Sequence, residues 1–165
     1  NKPPLVNNSA FGNAWLVSRI KTYASPDSVM FNLNNQNIRE VAIAEKKDVE
    51  GIYDKSYTTS GEVELIKYKA NHLTYNFSSA EEAYVVFSEV FYKGWNAYID
   101  GELVPHNKVN YVLRGLEVPK GKHSIEFKFE PEVYFQGENI SLFASILVLG
   151  LFLFAGYKGV KELTI

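Results

Sequence analysis

The sequence predicts a mainly β protein, an antiparallel β-sandwich of jelly-roll type with one short N-terminal helix and a C-terminal transmembrane α-helix. Three observations predict it. Glu62 to Lys69 and His72 to Phe77 alternate polar and apolar residues, the period of a half-buried strand. Asp100-Gly101 and Pro119-Lys120-Gly121 supply tight-turn chemistry between further strand-like runs. From Ile140 to Tyr157 the chain reads I-S-L-F-A-S-I-L-V-L-G-L-F-L-F-A-G-Y, with no charge between Glu138 and Lys158.

Taken in order, the opening N-K-P-P-L-V-N-N-S is irregular, and Ala14 to Ile20 is rich in strand-forming residues and reads as a first strand. Ser25 followed by Pro26 and Asp27 is a helix start, with Ser as the cap and Pro at the first helical position. Val29, Met30 and Leu33 would form the apolar stripe of a short helix reaching about Asn34. Arg39 to Glu45, with its V-A-I-A, reads as a short strand, and Lys46 to Ser60 as a charged loop. Ala70-Asn71 turns between the two alternating strands. Ala83 to Tyr92 carries the more continuous apolar run of a central strand buried on both faces.

Trp95 to Ile99 and Leu103 to Lys108 flank Asp100-Gly101, a pair suited to a type I′ turn because both positions take positive φ. Tyr111 to Val118 and His123 to Phe129 complete the strand set. Gly94, Gly101, Gly115 and Gly121 fall at hairpin spacing and read as turn glycines, with no phosphate-cradling G-x-x-x-x-G-K-S/T pattern. Trp15 is expected in the core.

The uncharged run fits a membrane span. At about 1.5 Å per residue it makes a helix of about 27 Å, against a hydrocarbon thickness of ~30 Å. Three parts are therefore expected: an extracytoplasmic β-sandwich over 1–138, a span over 139–158 and a cytoplasmic tail over 159–165. Glu130, Glu132 and Glu138 precede the span, whereas Lys158 and Lys161 follow it, so the positive-inside rule puts the β-rich part outside the cytoplasm. Tyr134, Phe135 and Tyr157 read as interfacial anchors. The initial Asn and the lack of an N-terminal apolar run predict a piece of a longer chain.

Composition narrows the function classes. A net charge of -2 gives no electrostatic ground for a nucleic-acid partner, and the absence of cysteine excludes disulfides, thiolate metal ligands and thiol nucleophiles. His72, His106 and His123 stand in separate strand or turn contexts with no ligand-like spacing, so no metal or other cofactor is expected. Glu81-Glu82 point to opposite faces of a strand, and Glu130 and Glu132 flank the membrane edge, so neither pair is read as an acid/base couple. No catalytic residue is assigned. Trp95, Tyr98, Asp100 and Arg114 form the candidate ligand-contact group, because an aromatic face with a carboxylate and a guanidinium is what a sugar-binding surface uses. The same Trp95 and Tyr98 serve equally as cross-strand packing, and Asp100 is already required by its turn.

Several runs together resemble the C-terminal part of YfhO-type bacterial membrane proteins: G-N-A-W-L-V from Gly12, Y-K-G-W-N-A-Y-I-D-G from Tyr92, V-P-K-G-K-H from Val118, and F-E-P-E-V-Y-F-Q-G-E-N-I-S leading into the apolar run. The resemblance covers most of the chain, with 46–60 its least distinctive stretch. It implies a long polytopic region upstream, in a bacterial cell membrane, followed by an extracytoplasmic β-rich domain and a closing transmembrane helix. It also implies a role in envelope glycosylation by a transferase using a polyprenyl-phosphate-linked sugar, whose catalytic acidic residues belong to early loops outside this chain. The expected partners are then the lipid bilayer, the upstream transmembrane region and a glycan or lipid-linked sugar.

Three readings follow. An accessory extracytoplasmic domain of such a transferase requires an apolar or aromatic patch. A membrane-tethered carbohydrate-binding module requires an exposed Trp95/Tyr98 platform with Arg114 beside it. A structural or adhesive envelope domain requires neither.

Overall fold

The computed structural model describes residues 10–53, 55–131, 137 and 140–153. The chain divides into two compact units, Asn1–Phe129 and Glu130–Ile165. In the first, the elements are β1 (Ala14–Val17), β2 (Arg19–Tyr23), α1 (Pro26–Asn32), β3 (Val41–Glu45), β4 (Glu62–Lys69), β5 (His72–Ser79), β6 (Ala83–Val90), β7 (Trp95–Ile99), β8 (Glu102–Val104), β9 (Asn107–Val109), β10 (Leu113–Val118) and β11 (Gly121–Phe129).

Two antiparallel sheets carry the fold, a four-stranded one ordered β1-β6-β10-β9 and a five-stranded one ordered β4-β5-β11-β7-β8. Alternation decides what lies between them. Leu73, Tyr75 and Phe77 of β5, Val85 and Phe87 of β6, Leu116 and Val118 of β10, and Ile125 and Phe127 of β11 share one buried core. The opposite face of the five-stranded sheet is polar, with Thr74, Asn76, Ser124 and Glu126 at the alternate positions. Tyr84 and Val86 of β6 point the other way, into a second core with Val17, Ile20, Ala42, Ala44 and Val49. β6 is thus buried on both faces, as its apolar run predicts.

A third layer covers the four-stranded sheet. β2 and β3 pair in parallel, Arg19 opposite Val41 through Tyr23 opposite Glu45, so the fold is not antiparallel throughout. Every residue of β3 is buried: Ala42 and Ala44 face Tyr84 and Val86, while Val41 and Ile43 pack on Val29 of α1. α1 begins as expected, Ser25 accepting a hydrogen bond from the Ser28 N–H and Pro26 opening the helix.

Four expectations are corrected, the last being the placement of Trp15 in the core. The expected strand from Ala14 to Ile20 breaks at Ser18, whose N–H donates to the Glu40 carbonyl at 2.7 Å and whose carbonyl accepts from Tyr57 at 2.8 Å. These bonds carry the chain from the four-stranded sheet to the parallel pair. The expected strand from Leu103 to Lys108 breaks at Pro105-His106, with β8 in one sheet and β9 in the other. Proline has no N–H for the ladder. Gly115 is not a turn glycine; it lies inside β10, and a Cβ there would collide with the Tyr84 ring. Trp15 sits half-buried on edge strand β1, its indole N–H donating to the Ile38 carbonyl at 2.9 Å.

In the second unit, residues 140–153 are helical and their apolar side chains are exposed. The Ser145 hydroxyl donates to the Ser141 carbonyl at 2.8 Å, keeping the hydroxyl satisfied within the helix. These residues make about 21 Å of helix. Among the described residues no helix is long and apolar enough to cross a membrane. Residues 139 and 154–158 of the expected span, the tail over 159–165, and the expected anchors Tyr134, Phe135 and Tyr157 lie outside the described residues.

Candidate functional site

Register fixes which strand termini meet. Leu113 opens β10 opposite Val90, the last residue of β6, and the short 91–94 connection brings Trp95 of β7 alongside. In the other sheet Phe129 lies opposite Trp95, and Lys128 opposite His72. Two backbone bonds tie the loops, Phe91 N–H to the Val112 carbonyl at 2.7 Å and Phe129 N–H to the Asn71 carbonyl at 3.0 Å. The polypeptide therefore leaves the sandwich at this end, where Phe129 closes β11. The same end is rich in rings: Trp95 lies 5.4 Å from Phe129, Tyr92 lies 6.4 Å from Phe129, and Phe91 lies 5.0 Å from His106. Tyr68, Val90, Tyr92 and Val112 form its exposed rim, the two tyrosines 66% and 63% accessible.

Arg114 sits just inside. Along β10 it shares the core-facing side with Leu116 and Val118, and it is 2% exposed. The pairing slips here, from Leu113 opposite Val90 to Arg114 opposite Phe87, so Ser88 and Glu89 bulge from β6. The Arg114 Nε donates to the Val90 carbonyl at 2.9 Å, satisfying an acceptor at the bulge. Its guanidinium lies 4.1 Å from the Trp95 ring and 5.1 Å from the Phe127 ring, a cation held between two aromatic faces. Among the described residues no carboxylate pairs with it within 4.0 Å, and its Nη1 has no hydrogen-bond partner.

Of the other buried polar atoms without a hydrogen-bond partner among the described residues, two lie beside Arg114, the Tyr75 hydroxyl and His106 Nε2. Both rings contact Phe127, at 6.3 and 5.7 Å, so the three unsatisfied groups surround one phenylalanine. Burial lowers the Arg114 pKa, with the Glu89 charge opposing. Burial and then the Arg114 charge push the His106 pKa down to about 4, which keeps that imidazole neutral near pH 7. Burial raises the Tyr75 hydroxyl well above its ordinary range. The cluster therefore carries one positive charge and two neutral polar groups in an aromatic setting, chemistry that suits an anion.

The other candidate residues lie elsewhere. Tyr98 is three positions beyond Trp95 on β7 and faces outward, beneath the Lys128 ammonium at 4.6 Å. Its surroundings are a polar array in which His72 and Lys128 meet Glu126 at 2.6 and 3.3 Å. Asp100 follows the far end of β7, roughly 15 Å along the strand from Trp95. It has φ 52° in its turn, accepts the Ser124 N–H at 2.8 Å and meets His123 Nδ1 at 2.6 Å. The structure brings Trp95 and Arg114 together, and sets Tyr98 and Asp100 apart from them and from each other. Sequence reasoning missed Tyr75, His106, Phe127 and the Val90 carbonyl. Only the period-two spacing of Arg114, Leu116 and Val118 pointed there, marking an arginine on a core face.

An antiparallel β-sandwich with an aromatic, cation-bearing end, continued by an exposed apolar helical stretch, defines a β-domain of the membrane-associated class. The family model described as bacterial membrane protein YfhO matches residues 16–141, from β1 to the start of that stretch. The chain belongs to this family, whose members are bacterial membrane proteins. It is 22% identical over 107 residues to the uncharacterized protein YfhO of Bacillus subtilis (strain 168), an alignment covering 59% of this chain and 12% of that protein. The chain thus spans about an eighth of the length of the curated relative it matches. No solved structure matches it.

Proposed function

We propose that residues 1–138 form an accessory, extracytoplasmic and non-catalytic domain of a polytopic membrane glycosyltransferase that draws on a polyprenyl-phosphate-linked sugar. The segment over 139–158 anchors it in the bacterial membrane, and 159–165 face the cytoplasm. The observation that carries the reading is the concentration of exposed aromatic and apolar surface, Tyr68, Val90, Tyr92 and Val112, at the end where the chain departs toward the apolar stretch. A domain that works against membrane helices or lipid needs such a surface. Glutamates before that stretch and lysines after it support the orientation. Membership in a membrane-protein family supports the bilayer as a partner. The transfer reaction rests on the resemblance alone.

The separation of Trp95 from Tyr98 weighs against a carbohydrate platform built from both. Reconstitution of the full-length parent protein in liposomes with a polyprenyl-phosphate-linked sugar tests the proposal. The intact protein should transfer sugar, and a version with residues 10–129 replaced by a flexible linker should transfer it at least about tenfold more slowly, a loss of about 1.4 kcal/mol in the barrier. No transfer by the intact protein removes the glycosyltransferase reading. Equal transfer by both removes the accessory role.

A further inference from the structure

A guanidinium enclosed by Trp95, Phe127 and the β6 bulge keeps its charge with no carboxylate in ion-pair contact among the described residues, Glu89 acting on it only from further off. Burying a charge that way costs several kcal/mol unless another group compensates, and buried polar atoms in native proteins find partners. Here three stand unpartnered around Phe127: Arg114 Nη1, Tyr75 Oη and His106 Nε2. All three can donate, the guanidinium always, the tyrosine hydroxyl by rotation and His106 in the tautomer that carries its proton on Nε2. A donor-only guanidinium beside two groups able to donate suits an anion with several oxygens.

We propose that Arg114, beneath Trp95, is a receptor for the phosphate of an anionic phospholipid headgroup. Arginine fits the role better than lysine because its planar fork meets two phosphate oxygens at once. The lipid source follows from the position of the corner. Tyr68 and Tyr92 stand exposed on its rim, side chains that combine an apolar ring with a polar tip and favour the headgroup level. Val90 and Val112 add apolar surface between them. The chain leaves the sandwich here at Phe129, on its way to the apolar residues that begin at Ile140. Access falls to Trp95, half-buried at the first position of β7 and preceded by Gly94 at φ 101°. Phosphate access therefore requires the Trp95 indole to turn aside about its own side-chain torsions. The inference rests on the membrane association of the family and is independent of any sugar transfer.

Short-chain lipids test it with the 165-residue chain held in a neutral detergent. The probes are dihexanoyl phosphatidylglycerol, dihexanoyl phosphatidylcholine and inorganic phosphate, and the readout is the NMR shift of the Arg114 Nε–H and Trp95 indole N–H signals. Saturable shifts are expected with phosphatidylglycerol, with affinity falling at least about tenfold in Arg114→Gln, in line with the loss of a charge-assisted hydrogen bond. Arg114→Lys should bind at an intermediate level. Since Arg114→Gln strips the Val90 carbonyl of its donor and can disturb the fold, Glu89→Gln provides the second arm. Removing that neighbouring carboxylate should tighten lipid binding severalfold. Equal response to phosphatidylcholine would overturn the proposal in favour of apolar insertion. Equal response to inorganic phosphate would overturn the lipid source, and no saturable shift with any probe would leave Arg114 as a plug for the bulge.

Discussion

Asp100 and His123 form the clearest ionisable pair on the sandwich surface. The His123 hydrogen bond and then the Ser124 N–H hold the Asp100 pKa below its ordinary 3.8, while Asp100 raises that of His123 above 6.5. His123 is held by a carboxylate in the fold, so its stabilising share is complete below pH 6.5 and disappears as pH rises through its raised value. Asp100 works in the other direction: its share is complete above 3.8 and is lost as pH falls through its lowered value. The gap in stability between the natural chain and His123→Gln should therefore be widest from about pH 4 to 6.5 and narrow on either side. Denaturant titrations across pH check this, and a gap constant from pH 4 to 9 would contradict it. His106 behaves oppositely, because burial pushes its pKa down to about 4 and so keeps it neutral over the upper part of that range.

Among the elements, β10 shows how little room separates the layers. Gly115 lies opposite Val86 with the fully buried Tyr84 ring above it, and the second core prevents that ring from retreating. Gly115→Ala should cost about 1 to 3 kcal/mol, the usual range for overpacking a filled core. Unfolding in denaturant measures it, and a loss under about 0.5 kcal/mol, the scale of an ordinary surface change, would mean the layers part easily. This position also shows where sequence reasoning stops. A glycine between turn-like residues reads as a turn unless the tyrosine that covers it is known, and that tyrosine is 31 positions earlier. The β4–β5 and β7–β8 hairpins were legible because their periodicity and turn chemistry are local. The break at Ser18 and the parallel β2–β3 pair were not, since both depend on bonds to residues around 40 and 57. Of the candidate site, Trp95 and Arg114 were legible by residue type. Their meeting with Tyr75, His106 and Phe127 comes from the pairing of β5 with β11 and of β6 with β10, which no local pattern encodes.

For the molecule as a whole, the proposed orientation rests on the distribution of charge about the apolar stretch, and the lack of cysteine in the chain makes it simple to test. In a parent protein with any other cysteines replaced, Lys122→Cys, exposed on β11, should react with a membrane-impermeant thiol reagent in intact cells. Lys161→Cys should react only after permeabilisation. The reverse pattern would place the sandwich in the cytoplasm. Strand order adds a constraint on assembly. β11 is last in sequence yet sits between β5 and β7 in the middle of its sheet. Until its nine residues arrive, both neighbours present unpaired edges and the main core lacks Ile125 and Phe127. The sandwich can therefore close only after nearly all of it has left the ribosome and, in the proposed orientation, the translocation channel. A growing chain must be shielded over that interval, which makes the timing of delivery, and not only stability once folded, a condition for obtaining the domain.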